Sequence, residues 1–209
     1  HANDTIIVRK AGEIIPEVVR VLKELREQDA RPLKLPDKCP DCESKLIRNQ
    51  NAVATRCENP SCPAILTGAL KHWVSKASMD IDGIGKKLIE QLVEKKLVHS
   101  IASLYELSME ELQNLERKGP KSAEKVIEAL NLSKQKAWYR QLFGLGIPHI
   151  GEANAKALAH KFSNIDELAK ISCEHPEHVQ PIAGIGLERS QSLKEWFLKE
   201  KNLELIRRL

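Results

Sequence analysis

The stretch Gly83-Ile84-Gly85-Lys86-Lys87-Leu88 decides the fold of this chain, because its glycine, apolar residue and glycine ahead of a helical segment recur. Gly184-Ile185-Gly186 precedes Leu187-Glu188-Arg189 in the same way. Two variants lie between them, at Arg117-Lys118-Gly119-Pro120-Lys121 and His149-Ile150-Gly151-Glu152. The last glycines stand at 85, 119, 151 and 186, which are 34, 32 and 35 residues apart. This near-even spacing predicts an internal repeat of four hairpins.

The segments around the hairpins have the apolar spacing of amphipathic helices. The recurring apolar positions are Leu88, Leu92, Val93, Leu104, Leu107, Leu112, Ala123, Val126, Ile127 and Leu130. Ser103 and Ser108 stand where helix N-caps are expected, and Glu111 follows Ser108 at the capping-box spacing. We therefore predict a mainly α fold, with a helix-hairpin-helix repeat domain of four hairpins over residues 67–209.

Each hairpin is expected to place the start of its second helix toward solvent. Glycine permits the positive φ and close approach that such a turn needs. The free amides and dipole of the helix then form an anion site that suits a DNA phosphate. The predicted DNA-binding residues are Gly83, Gly85, Lys86, Lys87, Gly119, Lys121, His149, Gly151, Gly184, Gly186 and Arg189. Such contacts position the protein without reading bases, so binding should be insensitive to sequence and weakened by salt.

An alternative interpretation makes these glycines ordinary C-caps in a helical bundle. The four copies also differ, because Arg117 and His149 replace the first glycine of hairpins two and three. Glu152 and Glu188 would repel a phosphate that they faced. His149 either contacts phosphate or is a loop residue without a role.

The four cysteines of residues 37–66 have the spacing of a metal site. Cys39 and Cys42 are separated by two residues, and Cys57 and Cys62 by four, with fourteen residues between the pairs. Four thiolates leave no position for a catalytic water, so this spacing predicts a structural zinc ion. Buried cysteines or two disulfides are the alternatives, and the lack of a secretory signal argues against disulfides. We assign no role to the fifth cysteine, Cys173, which we expect to be a small buried or half-buried side chain.

The composition limits the kinds of partner. The net charge of +4 is only mildly basic, so DNA contacts must come from placed groups. Aromatic residues make up 4% of the chain, which argues against single-strand recognition by base stacking. We expect Trp73, Trp138 and Trp196 to be core residues. No apolar run approaches the roughly 18–20 residues of a membrane span.

Residues 1–36 have a different character from the helical half. Thr5 to Lys10 has the composition of a strand, and a second strand is expected from Ile14 to about Val21, although Pro16 would also suit the start of a helix. Residues 31–36 are expected to form an extended linker. One strand cannot bury itself, and the chain starts at His1, so we expect an excised fragment or a segment that follows something removed.

The chain resembles the C-terminal half of bacterial NAD-dependent DNA ligases over nearly its whole length. The resemblance rests on Cys39-Pro40-Asp41-Cys42, on Cys57-Glu58-Asn59-Pro60-Ser61-Cys62-Pro63-Ala64, and on Met79-Asp80-Ile81-Asp82-Gly83-Ile84-Gly85. Residues 70–75 and 145–152 are similar to the segments around the family's first and third hairpins. Residues 9–16 look like the closing strands of the family's OB-fold. The resemblance implies three parts: the OB-fold end and linker (1–36), a four-cysteine zinc finger (37–66) and the helix-hairpin-helix domain (67–209).

The resemblance also implies a function for the parent protein. Members of the family adenylate a lysine from NAD, transfer AMP to a 5′-phosphate and seal nicked duplex DNA with Mg²⁺, in replication and repair. The Lys-x-Asp-Gly motif of the nucleotidyltransferase domain does not occur in this sequence, so we assign no catalytic residue and expect no ligation by this chain alone. The expected partners are duplex or nicked DNA and the adenylation and OB domains of the parent chain, in the bacterial cytoplasm, with no membrane.

Two other functions remain open on the sequence. One is a free-standing DNA-binding scaffold, such as a recombination mediator, which also combines four cysteines with helix-hairpin-helix elements. The other is a zinc-stapled helical domain that binds another protein.

Overall fold

The computed structural model describes residues 1–12, 14–48, 54–59, 61–116 and 119–209. Two compact units, residues 1–56 and 57–209, account for the fold. The division falls inside the cysteine-bearing segment, next to Cys57.

The first unit contains an antiparallel ribbon of β1 (Ile6–Ala11) and β2 (Ile15–Val21), with a register irregularity between Ile7 and Val8. The predicted second strand is therefore confirmed, and the alternative helix at Pro16 is wrong. A short 3-10 turn, Lys23–Leu25, follows, and Arg26 makes a bidentate pair with Asp4 at 2.7 Å for both contacts. This pair lowers the pKa of Asp4 to about 2, because the guanidinium donates to the carboxylate.

The apolar side chains of this ribbon are exposed. Val8, Val18 and Val19 are about half accessible, at 48%, 55% and 51%. Two strands alone have no opposite layer on which to bury such residues. Residues 31–36 carry no regular structure, as expected of a linker.

Two very short strands, β3 (Leu46–Ile47) and β4 (Arg56–Cys57), pair with one another in the cysteine-bearing segment. An isolated bridge between Lys38 and Lys45 closes the first cysteine turn. With little apolar core here, a bound metal would be the natural source of stability.

The second unit is helical. Its helices are α1 (Pro63–Val74), α2 (Lys86–Glu94), α3 (Met109–Gln113), α4 (Pro120–Ser133), α5 (Trp138–Gly144), α6 (Glu152–Lys161), α7 (Ile165–Glu174), α8 (Gly186–Phe197) and α9 (Glu200–Arg207). Short 3-10 turns at Ala102–Glu106 and Pro176–His178 complete it. The helices pack in consecutive pairs, α1 with α2, α3 with α4, α5 with α6 and α7 with α8. The mainly α fold is thus confirmed.

One aliphatic core runs through this unit, with Leu70, Leu92, Leu112, Leu142 and Leu168 fully buried. Few aromatic residues are needed to fill it, as the composition predicts. Trp73 is 1% exposed and is a core residue as expected, while Trp138 and Trp196 are half-buried and pack against the core.

Trp73 also anchors a short polar network. Its indole Nε1 donates to the Tyr105 hydroxyl at 3.0 Å, and that hydroxyl lies 2.9 Å from Ser133 Oγ. Burial raises the pKa of Tyr105. The network ties α1, the 3-10 turn and α4 together with their polar atoms satisfied.

Of the two serines predicted to be helix N-caps, one is confirmed and the other is not. Ser108 caps α3 in a complete capping box with Glu111, and the Ser108 amide and hydroxyl lower the pKa of the Glu111 carboxyl. The prediction that Ser103 is an N-cap is wrong: it lies buried inside the 3-10 turn, 3.2 Å from Ser100 Oγ, and Ile101 holds the cap position. A hydroxyl with a local side-chain partner need not lie at a helix end.

Within the described ranges, no helix combines the length and apolar character of a membrane span.

Candidate nucleic-acid interface and metal site

The four predicted zinc ligands lie together. The Sγ atoms of Cys39, Cys42, Cys57 and Cys62 are all within 4.8 Å of one another. Four sulfurs about 2.3 Å from a zinc ion stand about 3.8 Å apart, a separation that falls within this 4.8 Å limit. Cys39 and Cys62 are buried and the other two half-buried. The residues present therefore fit a structural zinc site.

Local backbone geometry presents these sulfurs. The Cys39 amide donates to the Ser44 carbonyl at 2.8 Å, and Glu43 adopts a left-handed φ of 56° at the turn. In the second pair, the Cys62 amide donates to the Asn59 carbonyl at 3.0 Å, and Asn59 Oδ1 accepts from the Ser61 amide. Pro60, between these two residues, lies outside the described residues. Helix α1 begins directly after Cys62.

The cap glycines of the first three hairpins share one backbone conformation. Gly85, Gly119 and Gly151 are the N-caps of α2, α4 and α6, with φ/ψ of −87/176°, −100/172° and −83/177°. They open helices and do not close them, so the interpretation as C-caps is wrong for these three. The first amides of each helix have no intrahelical partner.

These turns are open to solvent. The cap glycines and Lys86, Lys87 and Lys121 are exposed. The apolar residue of the repeat points the other way: Ile84, Ile150 and Ile185 are 4%, 4% and 0% exposed. In the second hairpin the corresponding position is Lys118, which lies outside the described residues, as does Arg117 before it. The buried isoleucine fixes the first, third and fourth turns to the core, which leaves their glycine backbone at the surface.

The first position of the repeat needs a left-handed backbone. Gly83 and Gly184 have φ of 82° and 81°, and His149 takes the same region at 65°. Glycine adopts this conformation without strain, whereas a residue with a Cβ does not. His149 therefore carries local strain at the turn.

The hairpins associate in neighbouring pairs. A Cβ on Gly83 would lie 3.2 Å from Val126 of α4, and Gln91 Oε1 of α2 accepts from the Glu116 amide at 3.0 Å. These contacts join hairpins one and two.

The third and fourth hairpins are joined more directly. The carbonyl oxygen of His149 accepts from Asn154 Nδ2 and from Arg189 Nε, each at 3.2 Å. A Cβ on Gly184 would lie 2.7 Å from Asn154 Oδ1, so this glycine allows the close approach.

The two acidic residues that could repel phosphate have cationic neighbours. Glu152 lies 2.6 Å from Lys156 Nζ, and this contact lowers the pKa of Glu152 and raises that of Lys156. Glu188 Oε1 lies 3.6 Å from His149 Nδ1. Both pairs are exposed, so solvent screens them strongly.

The fifth cysteine, Cys173, lies in α7. It is half-buried against the core, and burial raises the pKa of its thiol. A raised pKa disfavours the thiolate, which agrees with the expected lack of a role.

Three segments match known families. Residues 38–64 match the NAD-dependent DNA ligase C4 zinc finger domain. Residues 77–132, with hairpins one and two, match the SAM-like helix-hairpin-helix tandem, and residues 140–206, with hairpins three and four, match the helix-hairpin-helix motif. The segments follow the same pairing of hairpins that the contacts define.

Curated relatives match along the whole chain. It is 56% identical over 206 residues to a DNA ligase of Synechococcus sp. (strain CC9902), which covers 99% of this chain and 30% of that protein. It is 55% identical over 209 residues to a DNA ligase of Prochlorococcus marinus (strain MIT 9303), covering 100% of this chain and 30% of the relative. The chain thus spans about 30% of the length of these relatives.

Proposed function

We infer that this chain, which carries the zinc-finger and helix-hairpin-helix region of the NAD-dependent DNA ligases, binds duplex or nicked DNA through its phosphate backbone. The observation that carries the proposal is the shared conformation of three exposed cap glycines, Gly85, Gly119 and Gly151, each of which opens a helix. A helix N-terminus offers unpaired amides and a partial positive charge, which suit a phosphate oxygen.

The proposed contacts are mostly with backbone atoms. Around the first three turns we assign them to Gly83, Gly85, Lys86, Lys87, Gly119, Lys121, His149 and Gly151. The three lysines stand in the first turn of α2 or α4 and can add charge to the phosphate that the amides hold. Nothing in this set reads a base edge, so we expect little preference for sequence.

We propose that Cys39, Cys42, Cys57 and Cys62 hold one structural zinc ion. Bound there, the ion would cross-link the two cysteine pairs and would take no part in catalysis, since four thiolates complete its coordination. The cysteines orient two turns, and the second leads into α1 and so toward the helical unit. The proposed division is 1–36, 37–66 and 67–209, with β1 and β2 as the end of an OB-fold.

For the parent protein we propose nick sealing in bacterial replication and repair, in the cytoplasm. NAD and Mg²⁺ would act outside the residues described here, on adenylation and OB domains of the same protein. This chain would hold the DNA while those domains act on the 5′-phosphate and 3′-hydroxyl. A recombination mediator or a protein-binding module receives no comparable support, because the relatives that match along the whole of this chain are DNA ligases.

A salt titration of duplex binding tests the proposal. The zinc-loaded chain is titrated into a fluorescent nicked duplex and an intact duplex at several KCl concentrations, with Kd read from anisotropy. We expect the logarithm of the association constant to fall linearly with the logarithm of the salt concentration, with a slope of about 0.9 for each phosphate contacted. Lys86→Ala, Lys87→Ala and Lys121→Ala should each reduce the slope by about 1. Lys170→Ala, on α7, is the matched control.

Two outcomes would count against the assignment. Absence of duplex binding at low salt, with zinc present and the fold intact, would remove DNA as the partner of the turns. Formation of a covalent AMP adduct on incubation with NAD would place the chemistry within this chain, against our expectation.

A further inference from the structure

The fourth turn differs from the other three in its backbone. Helix α8 begins at Gly186 itself, which has a φ of 57°, and its cap residue Ile185 is already helical at −87/−61°. Hairpins one and four share the letters Gly-Ile-Gly, yet Gly85 is extended where Gly186 is left-handed. The amides of the fourth turn therefore have a different arrangement from those of the first.

The charges of the fourth turn differ as well. Helix α2 opens with Lys86 and Lys87, whereas α8 has Leu187 and Glu188 after its glycine. Glu188 is exposed and lies near His149. A carboxylate in the first turn competes with phosphate for the same positive end of the helix. Glu152 holds that position in α6, but a lysine of the same helix, Lys156, lies 2.6 Å from it, whereas the described neighbour of Glu188 is the imidazole of His149.

The cation of the fourth turn is directed at the neighbouring hairpin. Arg189 is half-buried, and its Nε donates to the carbonyl of His149 at 3.2 Å. Asn154 Nδ2 donates to the same oxygen, also at 3.2 Å. His149 stands at the first position of its turn, two residues ahead of the cap Gly151. Among the described residues at that position of the repeat, it is the one that is not glycine and is therefore strained.

We propose that the fourth turn braces the third and holds no phosphate of its own, with Arg189 and Asn154 as positioning residues. Two donors from α6 and α8 hold the His149 carbonyl and keep its left-handed conformation. Gly184 is required because Asn154 packs against it. The third turn is thereby preorganised for phosphate. The inference rests on the proposed DNA binding and limits it to three turns.

Arg189→Gln and Arg189→Ala separate the brace from a phosphate contact. Glutamine has the same number of atoms up to its amide nitrogen as arginine has up to Nε, so it can donate to the His149 carbonyl without a charge. The brace predicts that Arg189→Gln keeps both the wild-type affinity and the wild-type salt slope. It also predicts that Arg189→Ala loses about threefold to tenfold in affinity, the range for one hydrogen bond.

Asn154→Ala is the uncharged counterpart of Arg189→Ala. It should weaken binding by a similar factor, and the double variant should weaken it by less than the product of the two, because both donors hold one oxygen. Without DNA, hydrogen exchange at the amides of residues 149–151 should rise in both alanine variants and stay at the wild-type rate in Arg189→Gln. Thermal melts check that each variant is folded.

The brace is overturned if Arg189→Gln binds as weakly as Arg189→Ala, its salt slope drops by about 0.9, and exchange at residues 149–151 is unchanged. That result would make Arg189 a phosphate contact and leave the proposed function standing. A wild-type chain that binds no duplex would instead overturn the proposed function and its three DNA-holding turns. The exchange measurements need no DNA and would still decide the role of Arg189.

Discussion

At the scale of single residues, the two glycines of the first turn, Gly83 and Gly85, have different structural roles. Gly83 has a φ of 82°, and a Cβ there would lie 3.2 Å from Val126, so glycine is needed for both the backbone conformation and the packing. Gly85 is extended and has nothing within 4 Å of a built Cβ, so a side chain fits there. Neither the backbone conformation nor the packing requires glycine at position 85. The missing side chain therefore leaves room for a group that approaches from solvent.

Gly85→Asp should separate stability from DNA binding. Aspartate is a better N-cap than glycine, so the free energy of unfolding should rise by a few tenths of a kcal/mol. Its charge would stand where the phosphate is proposed, and the affinity for duplex DNA should fall about tenfold or more at low salt. Gly85→Asn has the same shape without the charge and is the control. Equal affinities of the two variants would argue against a phosphate at this turn.

His149→Gly should relieve the strain of the third turn. A left-handed residue with a Cβ costs about 1–2 kcal/mol, against about 0.5–1 kcal/mol for the added freedom of an unfolded glycine. We expect a net gain of up to about 1 kcal/mol in the free energy of unfolding, measured by urea denaturation. His149→Ala loses the ring but keeps the strain, so it should not be stabilised. A gain in both variants would assign the effect to the imidazole.

At the scale of elements, the cysteine turns and the helices should respond separately to metal removal. We expect one zinc ion per chain by colorimetric assay after thiol modification. Chelation should raise hydrogen exchange across residues 38–62 while most of the helical circular dichroism persists, because the aliphatic core lies in the helical unit. Cys57→Ser should lose the zinc, and Cys173→Ser should keep it. Retention of full zinc by Cys57→Ser would show that the ligand set is wrong.

The sequence predicted elements wherever one local rule decided them. The Ser108 capping box and the four helix pairs follow from spacing alone, and both are found. Ser103 failed because its hydroxyl is used inside a buried 3-10 turn. The difference between hairpins one and four was missed because both read Gly-Ile-Gly. The sequence differs in Leu187 and Glu188, where hairpin one has two lysines, but the backbone of the fourth turn depends on contacts with hairpin three that no local pattern predicts.

At the scale of the helical unit, the two hairpin pairs meet through α1 and α5. Arg140 Nη1 donates to the carbonyls of Ser78 at 2.6 Å and Lys76 at 3.1 Å, and Ser78 Oγ donates to the Arg140 carbonyl at 3.3 Å. His72 Nε2 lies 2.8 Å from the Phe143 carbonyl. No spacing rule predicts such contacts, because they join residues more than 60 positions apart.

Gly144→Ala should disturb this junction, the contact between α1 and α5, more than it disturbs any of the glycine turns. A Cβ there would lie 2.7 Å from Trp73 and in direct overlap with Ser78 Oγ, both of them fully buried. Overpacking of this kind costs about 1–3 kcal/mol, so the midpoint of thermal unfolding should drop by several degrees. Gly68→Ala is the matched control, because Gly68 is exposed within α1, has open space around it, and should gain about 0.5–1 kcal/mol from better helix propensity.

The same variant tests whether the pairs act together on DNA. If the junction sets the distance between the first two turns and the third, Gly144→Ala should lose affinity for duplex DNA under conditions where it remains folded. Its salt slope should also fall, because one pair would no longer reach its phosphates. Unchanged affinity and slope in a destabilised Gly144→Ala would mean that each pair binds by itself, and that the junction serves stability alone.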